Sequence, residues 1–188
     1  MERRELLKLI GVLTGAAFIG GQSFLTGCQP GGTAGGAISF TDSDLSFLNE
    51  VGETILPATA TPGAKAANVS LTMKTIVTSC YNPDQQSVFA TSRQKLDEAS
   101  HKKFNQSFLQ VTPQQREELL KEIDQEARTY QQGKKKEEPN HYFTMLKQLT
   151  LLGYFTSEVG CKQAMRYVPV PQRYDGNLPY KKGDKAYV

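Results

Sequence analysis

The segment Thr112-Pro113-Gln114-Gln115-Arg116-Glu117-Glu118-Leu119-Leu120-Lys121-Glu122-Ile123-Asp124-Gln125-Glu126-Ala127-Arg128-Thr129-Tyr130 can be read only as a helix. Thr112 offers an N-cap hydroxyl, Pro113 suits the first helical position, and Gln115 stands where a capping box needs it. Leu119, Leu120, Ile123, Ala127 and Tyr130 recur at helical spacing and form the expected inward face. Glu117, Glu118, Glu122, Asp124 and Glu126 could supply a carboxylate pair, but on such a helix they read as the solvated face.

Outward from this helix the same period recurs in both directions. Leu48, Val51 and Ile55 share one face of a segment that opens at Thr41-Asp42 and stops at Pro57, predicting a helix over about 42–56. Met73, Ile76, Val77 and Cys80 form a second stripe, which puts Cys80 on a buried face. Asn82-Pro83 ends that helix, and Val88, Ser92, Leu96 and Ala99 mark another running to about Lys103. The last predicted helix covers about Asn140–Leu152, with Phe143, Leu146 and Leu149 inward and Gly153 as its stop. No segment alternates at period two, so the expected fold is all-α: about five helices in one small domain over 38–188.

Composition narrows the function. The 188 residues carry 22 basic and 19 acidic side chains, and a formal charge of +3 gives no field that would argue for nucleic acid or anionic lipid. Three cysteines, two histidines and no tryptophan leave too few ligands for most metal, haem or iron–sulfur sites. His101 beside Lys102, and His141 after Asn140, have no second ligand at metal spacing and read as surface or interface residues. Lys134-Lys135-Lys136-Glu137-Glu138 compensates itself and reads as a loop. No Gly-x-Ser-x-Gly, Cys-x-x-Cys or Cys-x-x-Cys-His is present, so hydrolase, thiol-redox and haem roles have no support. The expectation is a chain with no catalytic, cofactor-binding or metal-binding residues of its own.

Residues 1–27 read as an address. Arg3-Arg4 with the leucines and Lys8 that follow resembles a twin-arginine export signal, and Leu9–Gly21 is uncharged but too short and Gly-rich for a spanning helix. Leu25-Thr26-Gly27-Cys28 resembles a bacterial lipobox, making Cys28 the lipidation site; the competing reading is a cleaved signal with an incidental cysteine. Nine of the sixteen glycines fall in residues 1–36, and 28–37 reads as a Gly-rich tether. Together these place the protein at the periplasmic side of a bacterial membrane, and Gln29 in place of an aspartate favours the outer one.

From Tyr167 to Val188 helical period fades, and Pro169, Pro171 and Pro179 accompany Tyr167, Tyr174, Tyr180 and Tyr187. Tyrosines are large, rigid contact residues, so this tail is expected to lie across a surface. Tyr167 is assigned to its own domain, and the three later tyrosines to a partner.

Phe47-Leu48 through Ile55-Leu56-Pro57-Ala58, followed by Thr61-Pro62-Gly63-Ala64, resembles the opening signature of the gluconate 2-dehydrogenase subunit 3 family. Leu149-Thr150-Leu151-Leu152-Gly153-Tyr154-Phe155-Thr156-Ser157-Glu158-Val159-Gly160 is similar to that family's Gly-Tyr-Phe block, and Tyr167-Val168-Pro169-Val170-Pro171 to its close, where Gln172 replaces the usual glycine. The resemblance implies a non-catalytic small subunit that docks, stabilises and helps export a periplasmic dehydrogenase of the glucose–methanol–choline type. FAD would then sit on the large partner subunit, with a cytochrome c as one electron acceptor. The interface is assigned to Phe143, Tyr154, Phe155, Tyr174, Tyr180 and Tyr187. The alternative is a free-standing lipoprotein that binds a sugar or peptide through the same aromatic surface. Cys80 and Cys161 leave three states open: an internal disulfide closing a loop of about eighty residues, a Cys161 bridge to the large subunit, and unpaired thiols.

Overall fold

The computed structural model describes residues 38–170 and 172–188; the export signal, Cys28 and the tether lie outside them. Among the described residues six helices follow one another: α1 (Asp42–Ile55), α2 (Val69–Cys80), α3 (Pro83–Ala90), α4 (Ser92–Phe104), α5 (Pro113–Gly133) and α6 (Tyr142–Phe155). A short π turn, Gly160–Ala164, comes after them. Among the described residues there is no strand, only one isolated parallel bridge between Arg166 and Tyr187. None of the described helices is long and apolar enough to cross a membrane.

Local chemistry starts these helices where expected. Thr112 and Gln115 close a reciprocal capping box on α5, with Pro113 in the first turn. Thr41 and Asp44 do the same on α1, and Asn82 and Gln85 on α3. Asn82 therefore both follows one helix and opens the next.

α6 is the hub. It packs against each of the other five helices, and Tyr142, Phe143, Met145, Leu146, Leu149, Thr150, Gly153 and Tyr154 are all buried on it. A helix apolar nearly all round has to be enclosed. Its neighbours close over it with Phe47, Leu48 and Val51 from α1, Val69, Met73 and Val77 from α2, Phe89, Leu96, and Leu119, Leu120, Ile123 and Ala127 from α5. Phe47 meets Phe108 edge to face, with ring centroids 5.5 Å apart.

Four expectations need correction. The helix predicted from Asn82-Pro83 to Lys103 is two helices, parted at Thr91, whose hydroxyl donates to the Val88 carbonyl at 2.8 Å. Gly153 does not stop α6; it lies within it, because a Cβ there would stand 3.2 Å from Thr72 and 3.4 Å from Val69, so its bareness lets α2 approach. Cys80 is exposed at the end of α2, and both it and Cys161 are free thiols. Tyr130 is at the rim, not in the core: its ring is partly exposed and its hydroxyl donates to the Pro139 carbonyl at 3.1 Å.

Candidate functional site

The two blocks that carry the resemblance meet in space. After α1 the chain turns through Pro57–Ala64, and the turn is held from inside by Glu53, whose carboxylate accepts the Ala58 N–H at 2.9 Å and the Lys65 N–H at 2.8 Å. Ala64 N–H donates to the Leu56 carbonyl at 2.9 Å. Gly63 passes so close that a Cβ would stand 2.3 Å from the Glu53 carboxylate. From the other block, the Tyr154 hydroxyl donates to the Pro62 carbonyl at 2.6 Å.

The rest of the Gly-Tyr-Phe block finishes α6. The Ser157 hydroxyl donates to the Tyr154 carbonyl at 2.6 Å and accepts the Gly160 N–H at 3.0 Å. Gly160 is buried, and a Cβ on it would lie 2.0 Å from the Tyr154 carbonyl oxygen. The Cys161 thiol donates to the Phe155 carbonyl at 3.2 Å. Most of the motif is therefore structural: Tyr154 ties the hub helix to the loop after α1, Gly153 lets α2 approach, and Ser157 and Gly160 seat the π turn on the end of α6.

Leu151, Leu152 and Phe155 are left over. They stand on the last turn of α6 at 37, 47 and 39% exposure, on a helix otherwise sunk in the core. The assigned interface residues divide accordingly. Phe143 and Tyr154 are corrected to core, 2 and 4% exposed, because they project from the hub helix into the apolar cluster formed with its neighbours. Phe155 is exposed, with its ring edge-to-face on Tyr154 at 5.1 Å. Tyr174 and Tyr180 stand out from the tail at 96 and 77% exposure. Tyr187 contacts its own chain, stacked beside the Arg166 guanidinium 4.7 Å from the ring centroid. Tyr167, assigned to its own domain, is half exposed.

The charged groups of one cleft and several on the acidic face of α5 are held by partners, whereas the buried Ser100 hydroxyl has none among the described residues. A cleft of about 370 Å³ between α1 and the α3–α4 pair is lined by Phe40, Phe47, Phe89, Asp44, Arg93 and Asp97. Its charges already have partners: Asp44 takes Arg93 at 2.5 Å, and Asp97 accepts the Phe108 N–H at 2.9 Å. Of the acidic α5 face, Glu118 and Glu122 both hold Lys103, and Asp124 holds Lys147 at 2.7 Å. Among the described residues no three His, Cys, Asp or Glu side chains converge as a metal site would require. His141 caps α6, its Nδ1 accepting the Phe143 N–H at 3.3 Å. Burial holds this imidazole below its ordinary value, with Glu126 opposing and Lys95 assisting. Burial also pushes the Tyr142 hydroxyl up to about 12.

Glu53 carries no signal in the sequence, because its partners are backbone N–H groups whose positions depend on how the turn just after α1 folds back. His141 could have been found as an N-cap from its place just before an apolar run.

Residues 42–171, well over half of the chain, match the family model described as gluconate 2-dehydrogenase subunit 3. No curated protein and no solved structure matches it significantly.

Proposed function

Because the chain belongs to the gluconate 2-dehydrogenase subunit 3 family, we propose that it is the non-catalytic small subunit of a dehydrogenase complex. It docks on, stabilises and accompanies the export of a FAD-containing subunit of the glucose–methanol–choline type that oxidises a sugar or sugar acid. The flavin and the chemistry belong to that partner, which passes electrons to a cytochrome c or another acceptor. Arg3 and Arg4 serve the export of the folded pair, and lipidated Cys28 holds the complex at the periplasmic side of a membrane, the outer one being favoured.

The observation that carries this reading is the surfacing of Leu151, Leu152 and Phe155 where the hub helix ends. Three large apolar groups on one turn leave water only if another surface covers them, and each such side chain buried is worth about 1.5–3 kcal/mol. The test is purification of the full chain from its host in mild detergent. The wild type should bring a larger yellow subunit with it. Leu152→Ser with Phe155→Ser should lower the recovered flavin about tenfold or more while helical circular dichroism is unchanged. A colourless wild-type monomer would overturn the reading.

A further inference from the structure

The chain doubles back at its end. Arg166 N–H donates to the Ala186 carbonyl at 2.8 Å, Val168 N–H to the Val188 carbonyl at 2.9 Å, and Val188 N–H to the Arg166 carbonyl at 3.1 Å. The Arg166 guanidinium also donates to the Tyr187 hydroxyl at 2.5 Å. Residues 172–186 thus form a closed loop. Within it Asn177 N–H donates to the Asp175 carboxylate at 3.2 Å and Lys181 N–H to the Asp184 carboxylate at 3.1 Å, shaping two turns.

Outside these ties the loop is almost bare. Tyr174 and Tyr180 are the two most exposed large apolar side chains, and Leu178 is half exposed between them. Residues 172–186 hold Arg173, Lys181, Lys182 and Lys185 against Asp175 and Asp184, 4 − 2 = +2, and the Lys185 ammonium donates back to the Gln163 carbonyl. Arg173 meets Asp175 at 3.6 Å, whereas Lys181 and Lys182 make no ion pair among the described residues. A tied loop has already lost much of the entropy that binding would otherwise cost, and tyrosines add contact area with little further ordering.

We propose that residues 172–186 are a pre-closed docking loop, which seats Tyr174 and Tyr180 in an apolar groove rimmed by carboxylates on the FAD-containing subunit. This rests on the reading of the chain as a dehydrogenase subunit and adds a second contact beyond the end of α6. Cations beside exposed tyrosines would also suit an anionic membrane. A lipid surface, however, rewards an unbroken basic face, and here Asp175 and Asp184 are set among the cations. Charges of both signs at fixed places call for matched opposite charges on a protein.

Two variants of the full chain test it, both leaving the closing hydrogen bonds in place: Arg173→Glu with Lys181→Glu and Lys182→Glu, and Tyr174→Ser with Tyr180→Ser. Rebinding to the isolated FAD-containing subunit is followed by flavin absorbance at several salt concentrations. Each variant should bind about tenfold or more weakly, and the charge variant should lose most of the salt dependence. If the wild type binds the flavoprotein and both variants bind equally well, the docking loop is wrong and the subunit reading stands. If the wild type itself recovers no flavin, the subunit reading fails and takes the loop with it. If the charge variant keeps its flavoprotein but no longer floats with phosphatidylcholine–phosphatidylglycerol vesicles, the loop serves a lipid surface and the proposal is overturned.

Discussion

Gly160 has no room for a methyl group. With the Tyr154 carbonyl oxygen 2.0 Å from where a Cβ would sit, Gly160→Ala must push the π turn away from the end of α6. The expected cost is about 2 kcal/mol or more, read as a lower urea midpoint with an unchanged slope. Gln172 shows the opposite mismatch. Its φ of +58° is in the left-handed region, which favours glycine. A side chain there costs about 1 kcal/mol. Gln172→Gly should therefore tighten the tail, slowing amide exchange at Val168 and Val188 about fivefold while the global melting temperature stays put. Cys80 teaches a related lesson: its place on an apolar stripe predicted burial, but it occupies the last residue of α2, where the covering layer has ended.

At the scale of the helix, the α6 cap is a titratable one. The Nδ1 of His141 accepts an N–H only when it is unprotonated. Burial keeps the folded imidazole below the ordinary 6.5. The linked stability is thus complete above 6.5 and declines as pH falls from there to the lowered folded value. Melting temperatures followed from about pH 8 to 5 should show that decline. His141→Asn, which keeps an acceptor at the cap, should remove it. The starts of α1 and α5 were legible in the sequence, at Thr41-Asp42 and at the capping box of Thr112 and Gln115, whereas Asn82-Pro83 reads only as a helix end although Asn82 also caps α3. The break at Thr91 and the passage of α6 through Gly153 were not legible, since both depend on neighbours: a hydroxyl turned onto Val88, and α2 pressed against a bare backbone. The candidate site divides the same way. Phe155 stood out as an aromatic in a motif; the helical period already puts Phe143 on the inward stripe with Leu146 and Leu149, against its assignment to the interface, whereas the expected stop at Gly153 cuts Tyr154 off from that stripe.

Across the described residues, five carboxylates link separate elements by ion pairs: Glu118 and Glu122 on α5 hold Lys103 on α4, and three less exposed ones join further pairs. Glu50 on α1 joins Arg116 on α5 at 3.0 Å and also holds Lys65, Asp44 joins α1 to Arg93 on α4, and Asp124 joins α5 to Lys147 on α6. The Lys65 ammonium, outweighing burial and aided by Arg116, holds Glu50 below its ordinary 4.5. Burial alone would raise Asp44 and Asp124, but hydrogen bonds from Thr41 and Arg93, and from Lys147 and Arg128, leave both below 3.8. Folded values that are depressed give stability that is complete above the ordinary values and lost as pH falls through the lowered ones. Acid unfolding should accordingly begin below about pH 4.5, where the Glu50 contribution starts to fade, and Asp124→Asn should flatten the part below about pH 3.8. The hydroxyl-to-carbonyl bond between Tyr154 and Pro62 spans 92 positions of the chain. A contact of such long reach closes only when nearly all of the polypeptide is made and assembled. The apolar turn beside it takes its shape only once both ends of that contact are in place, so under the proposed docking a companion protein that grips the turn would pass over truncated or half-folded copies.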